Sequence, residues 1–113
     1  MEKLDFEKGK TFIVVEIIEY VPNSVVIKTI IRKPTGNISA VSFDSGEGLL
    51  EKISAFDTFI QVIDGKAEIE IEGEFYFLDT GQSIIIPAHS HNSIKANERF
   101  KMLSTIIKSG YED

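Results

Sequence analysis

The residues best suited by type to hold a metal or move a proton are two histidines, which stand two apart in the run Pro87-Ala88-His89-Ser90-His91-Asn92. On an extended strand, residues i and i+2 share a face, so His89 and His91 have the spacing of a chelating pair. The proline before them marks a turn, and a solvent-facing pair at a barrel rim is the plainer reading. Lys52 is the second candidate. A lysine held in apolar surroundings gives up its proton readily and can attract an anion or act as a base or Schiff-base amine, whereas one at a strand end carries its charge out to water. Glu51 and Asp57 flank the same segment and either pair with Lys52 or stay solvated. Ser54 and Thr58 add two hydroxyls, and Phe56 lies between them in a loop at the expected cavity mouth.

Other chemistries are excluded. The chain has no cysteine, which removes disulfides, thiolate zinc sites, Cys nucleophiles and iron–sulfur clusters. It has no P-loop, dinucleotide fingerprint, Ser-His-Asp order or HExxH motif. Twelve basic against eighteen acidic residues give a net charge of −6 with no local Lys/Arg cluster, so a phosphate backbone would be repelled and nucleic acid is not an expected partner. The longest apolar runs, Phe12 to Val15 and Ile84 to Pro87, fall far short of the roughly 20 residues of a membrane span. A charged N-terminus without an apolar h-region points to a cytoplasmic protein.

The elements that must position these side chains are strands. At 113 residues with 42% hydrophobic content the chain can bury one modest core, and its eight Phe and three Tyr, with many Ile and Val, favour β structure. Turn-forming runs recur at short intervals, among them Pro22-Asn23-Ser24, Pro34-Thr35-Gly36-Asn37, Asp44-Ser45-Gly46, Asp64-Gly65, Glu72-Gly73 and Asp79-Thr80-Gly81. Such spacing predicts an antiparallel sandwich or barrel. From Lys66 to Glu72 the alternation is strict: Ala67, Ile69 and Ile71 face a core, and Glu68, Glu70 and Glu72 face water. Segment 57–64 is expected to pair with this strand as a tight hairpin across Asp64-Gly65. Segments 25–32 and 38–43 form another hairpin, 75–78 and 83–86 are short strands, and 100–107 is the last strand. Before Tyr20, the residues Phe12, Val15, Glu16 and Glu19 stand at helical spacing, which allows a short N-terminal helix, although the β-branched content favours a strand. No linker or repeat divides the chain, so residues 1–113 form a single domain.

Two stretches carry a more specific signal. The first reads G-x5-K-x-S-x3-T-x6-G from Gly46 to Gly65, and the second G-x5-P-x-H-x2-N from Gly81 to Asn92. With these spacings the chain resembles the cupin superfamily, whose first motif runs G-x5-H-x-H-x3-E-x6-G and whose second runs G-x5-P-x-G-x2-H-x3-N. Fifteen residues separate Gly65 from Gly81, similar to the short spacing of small bacterial members, and Ile86-Pro87-Ala88 with Phe100-Lys101-Met102-Leu103 is similar to the cupin-2 type. The resemblance covers about residues 23–107. It implies an all-β, single-domain cupin barrel of the double-stranded β-helix or jelly-roll kind, with a homodimer as the default assembly.

The resemblance also implies where chemistry would sit. In metal-binding cupins the two His and the Glu of the first motif and the His of the second hold a divalent metal such as Fe, Mn, Ni or Zn. The matching positions here are Lys52, Ser54, Thr58 and Asn92. A lysine must first lose its proton, and hydroxyls and a carboxamide bind such ions weakly. No metal or other cofactor is therefore expected there. The alternative is a divalent metal on His89 and His91. His89, however, takes the place of the motif's glycine, and His91 adjoins the inward slot, so alternation turns it outward unless a bulge rotates it back.

Alternation places Lys52 and Ser54 on one face, with Thr58, Ile60 and Val62 inward on the next strand. Lys52, Ser54, Phe56, Thr58 and Asn92 are thus the candidate cavity residues. Phe43, Phe59, Phe75, Tyr76, Phe77 and Phe100 are expected in the core or in dimer contacts. The expected function is a barrel that binds a small organic molecule, with an anion near Lys52 as one form of it, or that serves as a non-catalytic association surface. The alternative is a cupin enzyme of the isomerase or dioxygenase type, metal-dependent or metal-free, using Lys52 with His89 and His91. The fold by itself does not choose between them.

Overall fold

The computed structural model describes residues 6–110, with residues 50–52 described through their backbone alone. The first hairpin joins β1 (Val25–Lys33) to β2 (Gly36–Phe43), with Lys33 opposite Gly36 and Pro34 in the turn, where its missing amide costs no ladder bond. There follow β3 (Gly48–Ile53), β4 (Asp57–Asp64), β5 (Lys66–Ile71), β6 (Glu74–Asp79), β7 (Ser83–Ile86), β8 (His91–Lys95) and β9 (Phe100–Ile107). They build two antiparallel sheets, one ordered β1-β2-β9-β4-β7 and the other β3-β8-β5-β6.

Segments 57–64 and 66–71 are both strands, but they do not pair with each other. β4 lies between β9 and β7 in one sheet, and β5 between β8 and β6 in the other. Gly65 carries the chain from sheet to sheet. Its φ is +88°, and a Cβ there would stand 2.6 Å from the Arg99 carbonyl oxygen and 3.0 Å from the Phe100 side chain, so the corner needs glycine. Crossing over, rather than folding back, puts Ile60 and Val62 of β4 and Ala67 and Ile69 of β5 into one shared core. The tight hairpin that β5 does form is with β6. Glu72 and Gly73 both take positive φ, 50° and 84°, as a two-residue type I′ turn requires.

The stretch from Phe6 to Glu19 is not an α-helix. It holds one 3-10 turn, Val14–Glu16, and otherwise runs as a strap against the outer face of the five-stranded sheet. Its β-branched residues Ile13, Val14, Val15, Ile17 and Ile18 disfavour further helical turns, and tertiary partners take over. Ile18 is buried with Ile30 and Ala40. The Ser42 hydroxyl donates to the Glu19 carbonyl (2.9 Å), and the Tyr20 hydroxyl donates to Asp64 (2.5 Å). The Tyr20 ring also carries the Arg99 guanidinium and the Lys101 ammonium at 4.6 and 5.0 Å from its centroid.

Inside, the sandwich is filled at one end. Phe43 and Phe100 stack with centroids 4.4 Å apart and planes 10° from parallel, both without solvent exposure. Moving along the same inward face, β2 continues to Val41, Ser39 and Asn37, and β9 to Met102, Ser104 and Ile106. The change from aromatic to small and polar side chains leaves the other end hollow.

Candidate functional site

The hollow end is a cavity of about 290 Å³. Its side walls can be read from the strand register of the five-stranded sheet. One row across the sheet runs Thr29, Ser39, Ser104 and Ile60; the next runs Arg32, Asn37, Ile106, Thr58 and Ile86. All nine line the cavity, over a floor that includes Val41 and Met102. The other sheet contributes Leu49, Asn92 and Ile94, with Ser54 just past the end of β3. The two exposed lining residues, Ile27 and Arg32, both belong to β1, so the cavity opens to water along that edge strand.

Three of the residues singled out in the sequence meet here: Ser54, Thr58 and Asn92. Asn92 is buried and its Nδ2 donates to the Ser90 carbonyl (3.3 Å). The Ser54 hydroxyl donates to the Phe56 carbonyl (2.8 Å) and accepts from the Phe56 amide (3.2 Å), so Ser54 shapes its own loop as well as the wall. Phe56 is half-buried and is not among the lining residues. The backbone of Lys52 pairs with Asn92 across β3 and β8, while the side chains of Lys52 and Glu51 lie outside the described residues. Asp57 accepts from the Ala88 amide (2.7 Å) and so ties the histidine-bearing turn to β4.

The histidines lie apart from the cavity. His89 is exposed in the turn with φ 67°, standing where the motif has glycine. His91 is exposed, its amide donates to the Glu72 carboxylate (2.7 Å), and its carbonyl accepts from the Glu72 amide (2.9 Å). The ladder of β8 against β5 is regular from Asn92 to Lys95, so no bulge there turns His91 inward. Among the described residues no three His, Cys, Asp or Glu side chains converge as a metal site. Two hydroxyls and a carboxamide are poor ligands for Fe, Mn, Ni or Zn.

Sequence reasoning missed Arg32, Asn37, Thr29, Ser39 and Ser104. For the two serines a signal existed: each is a polar residue in phase with buried inward neighbours, Ser39 with Val41 and Ser104 with Met102. For Arg32 there was none. Counting by twos from the lining residues Ile27 and Thr29 gives Ile31, not Arg32, an inward place. The register slips between Thr29 and Ile31, leaving Ile30 as an extra residue, and that β-bulge brings Arg32 opposite Asn37 on the cavity face. The freed Ile30 carbonyl accepts from the amide of Phe6 (3.0 Å) in the strap.

Among the described residues two titratable groups are shifted, Tyr20 at the end of the strap and Asp44 beside the turn before β1. Tyr20 is held well above the ordinary phenol range, first by burial and then by the hydrogen bond to Asp64. Asp44 is lowered, chiefly by the Asn23 amide that donates to it, with Arg99 nearby adding to the effect.

A conserved protein of unknown function from Streptococcus pyogenes superposes with a TM-score of 0.87 at 26% identity, covering 93% of this chain and 92% of its own. A cupin-superfamily protein from Desulfitobacterium hafniense gives 0.83 at 25% identity, covering 95% and 97%. The chain has a cupin fold. A cupin-2 conserved barrel domain protein from Leptotrichia buccalis matches 83% of this chain with a TM-score of 0.80 at 28% identity, and this chain spans 46% of that protein's length. No family model matches the sequence, and no curated protein matches it. Within the cupin frame, the inward positions of the two motifs carry Ser54, Thr58 and Asn92 in place of ligands.

Proposed function

We infer that this cupin barrel binds a small organic molecule in its interior and does no chemistry on it. The observation that carries the reading is the lining of the cavity: isoleucines, valine, leucine and methionine interleaved with hydroxyls, carboxamides and Arg32, and no described Asp, Glu or His side chain. Apolar walls with a few converging polar groups are the usual make-up of a small-molecule site. Acid–base or nucleophilic catalysis would need a titratable group with a partner within hydrogen-bond reach of the bound molecule. His89 and His91 face water instead. Asn37, Ser39, Thr58 and Ser104 add support, because none of these side chains has a protein hydrogen-bond partner among the described residues while all four line the cavity. A volume near 290 Å³ corresponds to about ten water molecules, the scale of a six-carbon metabolite.

The test is an NMR titration of the ¹⁵N-labelled chain with a panel of small polar metabolites. At least one should shift the amides of Ser39, Thr58, Asn92 and Ser104 together. A panel whose only effects fall on the outer strand faces would overturn the reading.

A further inference from the structure

We propose that the free edge of β6 is a self-association surface on which a second copy of this chain pairs, antiparallel and about a two-fold axis at Tyr76, joining the two four-stranded sheets into one. None of its residues lines the cavity. The two sheets end in four edge strands, β1, β7, β3 and β6. Native proteins blunt such edges with basic residues, bulges or short length. β1 carries a bulge together with Lys28, Arg32 and Lys33, β3 has a break in register between Leu49 and Lys52, and β7 is four residues long. β6 has no bulge and no lysine. Its register with β5 is regular from Glu74 to Asp79, and its centre is Phe75-Tyr76-Phe77, exposed at 55%, 40% and 69%.

The backbone of this edge has the spacing a second copy requires. The Glu72 amide donates to the His91 carbonyl of β8, so by alternation Ile71, Ile69 and Ala67 turn their backbone groups to β6, where they exchange hydrogen bonds with Glu74, Tyr76 and Leu78. Phe75 and Phe77 therefore direct their N–H and C=O groups outward, and among the described residues no partner takes them. Asp79, at the strand's end, is already engaged: its amide donates to the Gln82 side chain, and its carbonyl accepts from the Gln82 amide. Free groups centred on Tyr76 fit one antiparallel register, with Phe75 opposite Phe77 of the second copy and Phe77 opposite its Phe75. Two aromatic cross-strand pairs then form on the outer face, and Tyr76 meets its own counterpart on the other. Charge favours the same register. Glu74 faces Leu78 of the second copy and Asp79 faces its Gly73, whereas a shift by one residue sets Glu74 directly against Asp79. With side chains of roughly 200 Å², the three aromatic residues expose about 300 Å² per copy. Together with the strand edge the pair buries on the order of 1,000 Å² in all, the low end for a specific interface, so the dimer is a weak one.

The test is sedimentation equilibrium of the full chain between about 1 μM and about 1 mM, the span over which an interface of this size should dissociate, with amide exchange read by NMR on the same samples. The mass should rise from one copy to two and stop there, because the pairing occupies both free edges. In the dimer the Phe75 and Phe77 amides should exchange at least about tenfold more slowly than in the monomer. Phe75→Lys puts a charge into each aromatic pair while facing Glu70 of its own chain, and Phe77→Pro removes an outward N–H that β5 does not use. Both variants should stay monomeric with the circular dichroism unchanged; if Phe77→Pro fails to fold, Phe75→Lys alone decides. A chain that is monomeric at the highest concentration overturns the proposal, as does a mass that climbs past two copies or a Phe75→Lys protein that still dimerises. A dimer whose Phe75 and Phe77 amides exchange as fast as the monomer's also overturns it, since the contact would then lie between sheet faces and not between strand edges.

Discussion

The amide of Phe6 donates to the carbonyl of Ile30, 3.0 Å away, at the one residue that β1 carries in excess of β2. An N-terminal strap on the outer face of the sheet thereby holds the bulge that sets the inner face, and Arg32 takes its place opposite Asn37 as a result. The strap's hold on the bulge is local: the Phe6 ring packs on Phe12 at 4.8 Å and on the Lys28 ammonium at 5.6 Å.

That linkage separates two substitutions at one site. Phe6→Ala keeps the amide and loses the ring contacts, whereas Phe6→Pro loses both. In urea unfolding, Phe6→Pro should be less stable than Phe6→Ala by about 1 kcal/mol, the net worth of one hydrogen bond. Equal stabilities would show that the Phe6 amide does not hold the bulge.

Tyr20 gives a prediction in pH. Its phenol is held protonated in the folded chain above its ordinary value of 10.0, so between that value and the folded one the unfolded chain has lost a proton that the folded chain keeps. The stabilisation is complete below pH 10 and declines as the pH rises beyond it. Lysines titrate in the same range, so the comparison is with Tyr20→Phe: the stability difference between the two proteins should be constant from neutrality to about pH 10 and shrink above it. A difference that does not change with pH would mean that neither burial nor the Asp64 contact raises the phenol in the folded chain.

His89 stands at φ 67°, a region that costs an L-residue roughly 1 kcal/mol or more and glycine almost nothing. His89→Gly should therefore leave the thermal midpoint unchanged or raise it, with no loss of ligand binding. A destabilised protein would reveal a contact of the imidazole that matters to the fold.

Much of the fold was legible because alternation is a local signal. Ala67, Ile69 and Ile71 are buried at 2%, 0% and 9% exposure, as the strict pattern of that strand required. Segment 100–107 has the bounds read from the sequence. The pairing of segment 57–64 was misjudged because Asp64-Gly65 has the composition of a hairpin turn, while the space that decides its path is set by Arg99 and Phe100, more than thirty residues later. The N-terminal spacing of Phe12, Val15, Glu16 and Glu19 allowed a helix, but the strap buries Ile18, with Phe6 and Ile17 beside it, and leaves Phe12 and Glu19 exposed. Of the cavity, the motif spacing led to Ser54, Thr58 and Asn92, whereas Arg32 depends on a bulge held by a residue outside the strand, which no count along β1 can supply.

Removal of divalent ions offers a check on the donor chemistry. The protein purified without chelator and then treated with EDTA should keep its thermal midpoint and carry far less than one equivalent of Fe, Mn, Ni or Zn. Near-stoichiometric metal that is lost in His91→Ala would place a metal site on the histidine turn and restore the enzymatic alternative.

The central claim is that the barrel interior is a binding site, and the most direct measurement is ligand affinity in a chain whose interior has been filled. Ser104 lies mid-wall between Ser39 and Ile60, and Ser104→Phe projects a ring into the cavity. The account predicts that the metabolite which shifts the Ser39, Thr58 and Asn92 amides binds at least about a hundredfold more weakly to Ser104→Phe, with the far-ultraviolet circular dichroism unchanged. Full affinity in the filled barrel would contradict it.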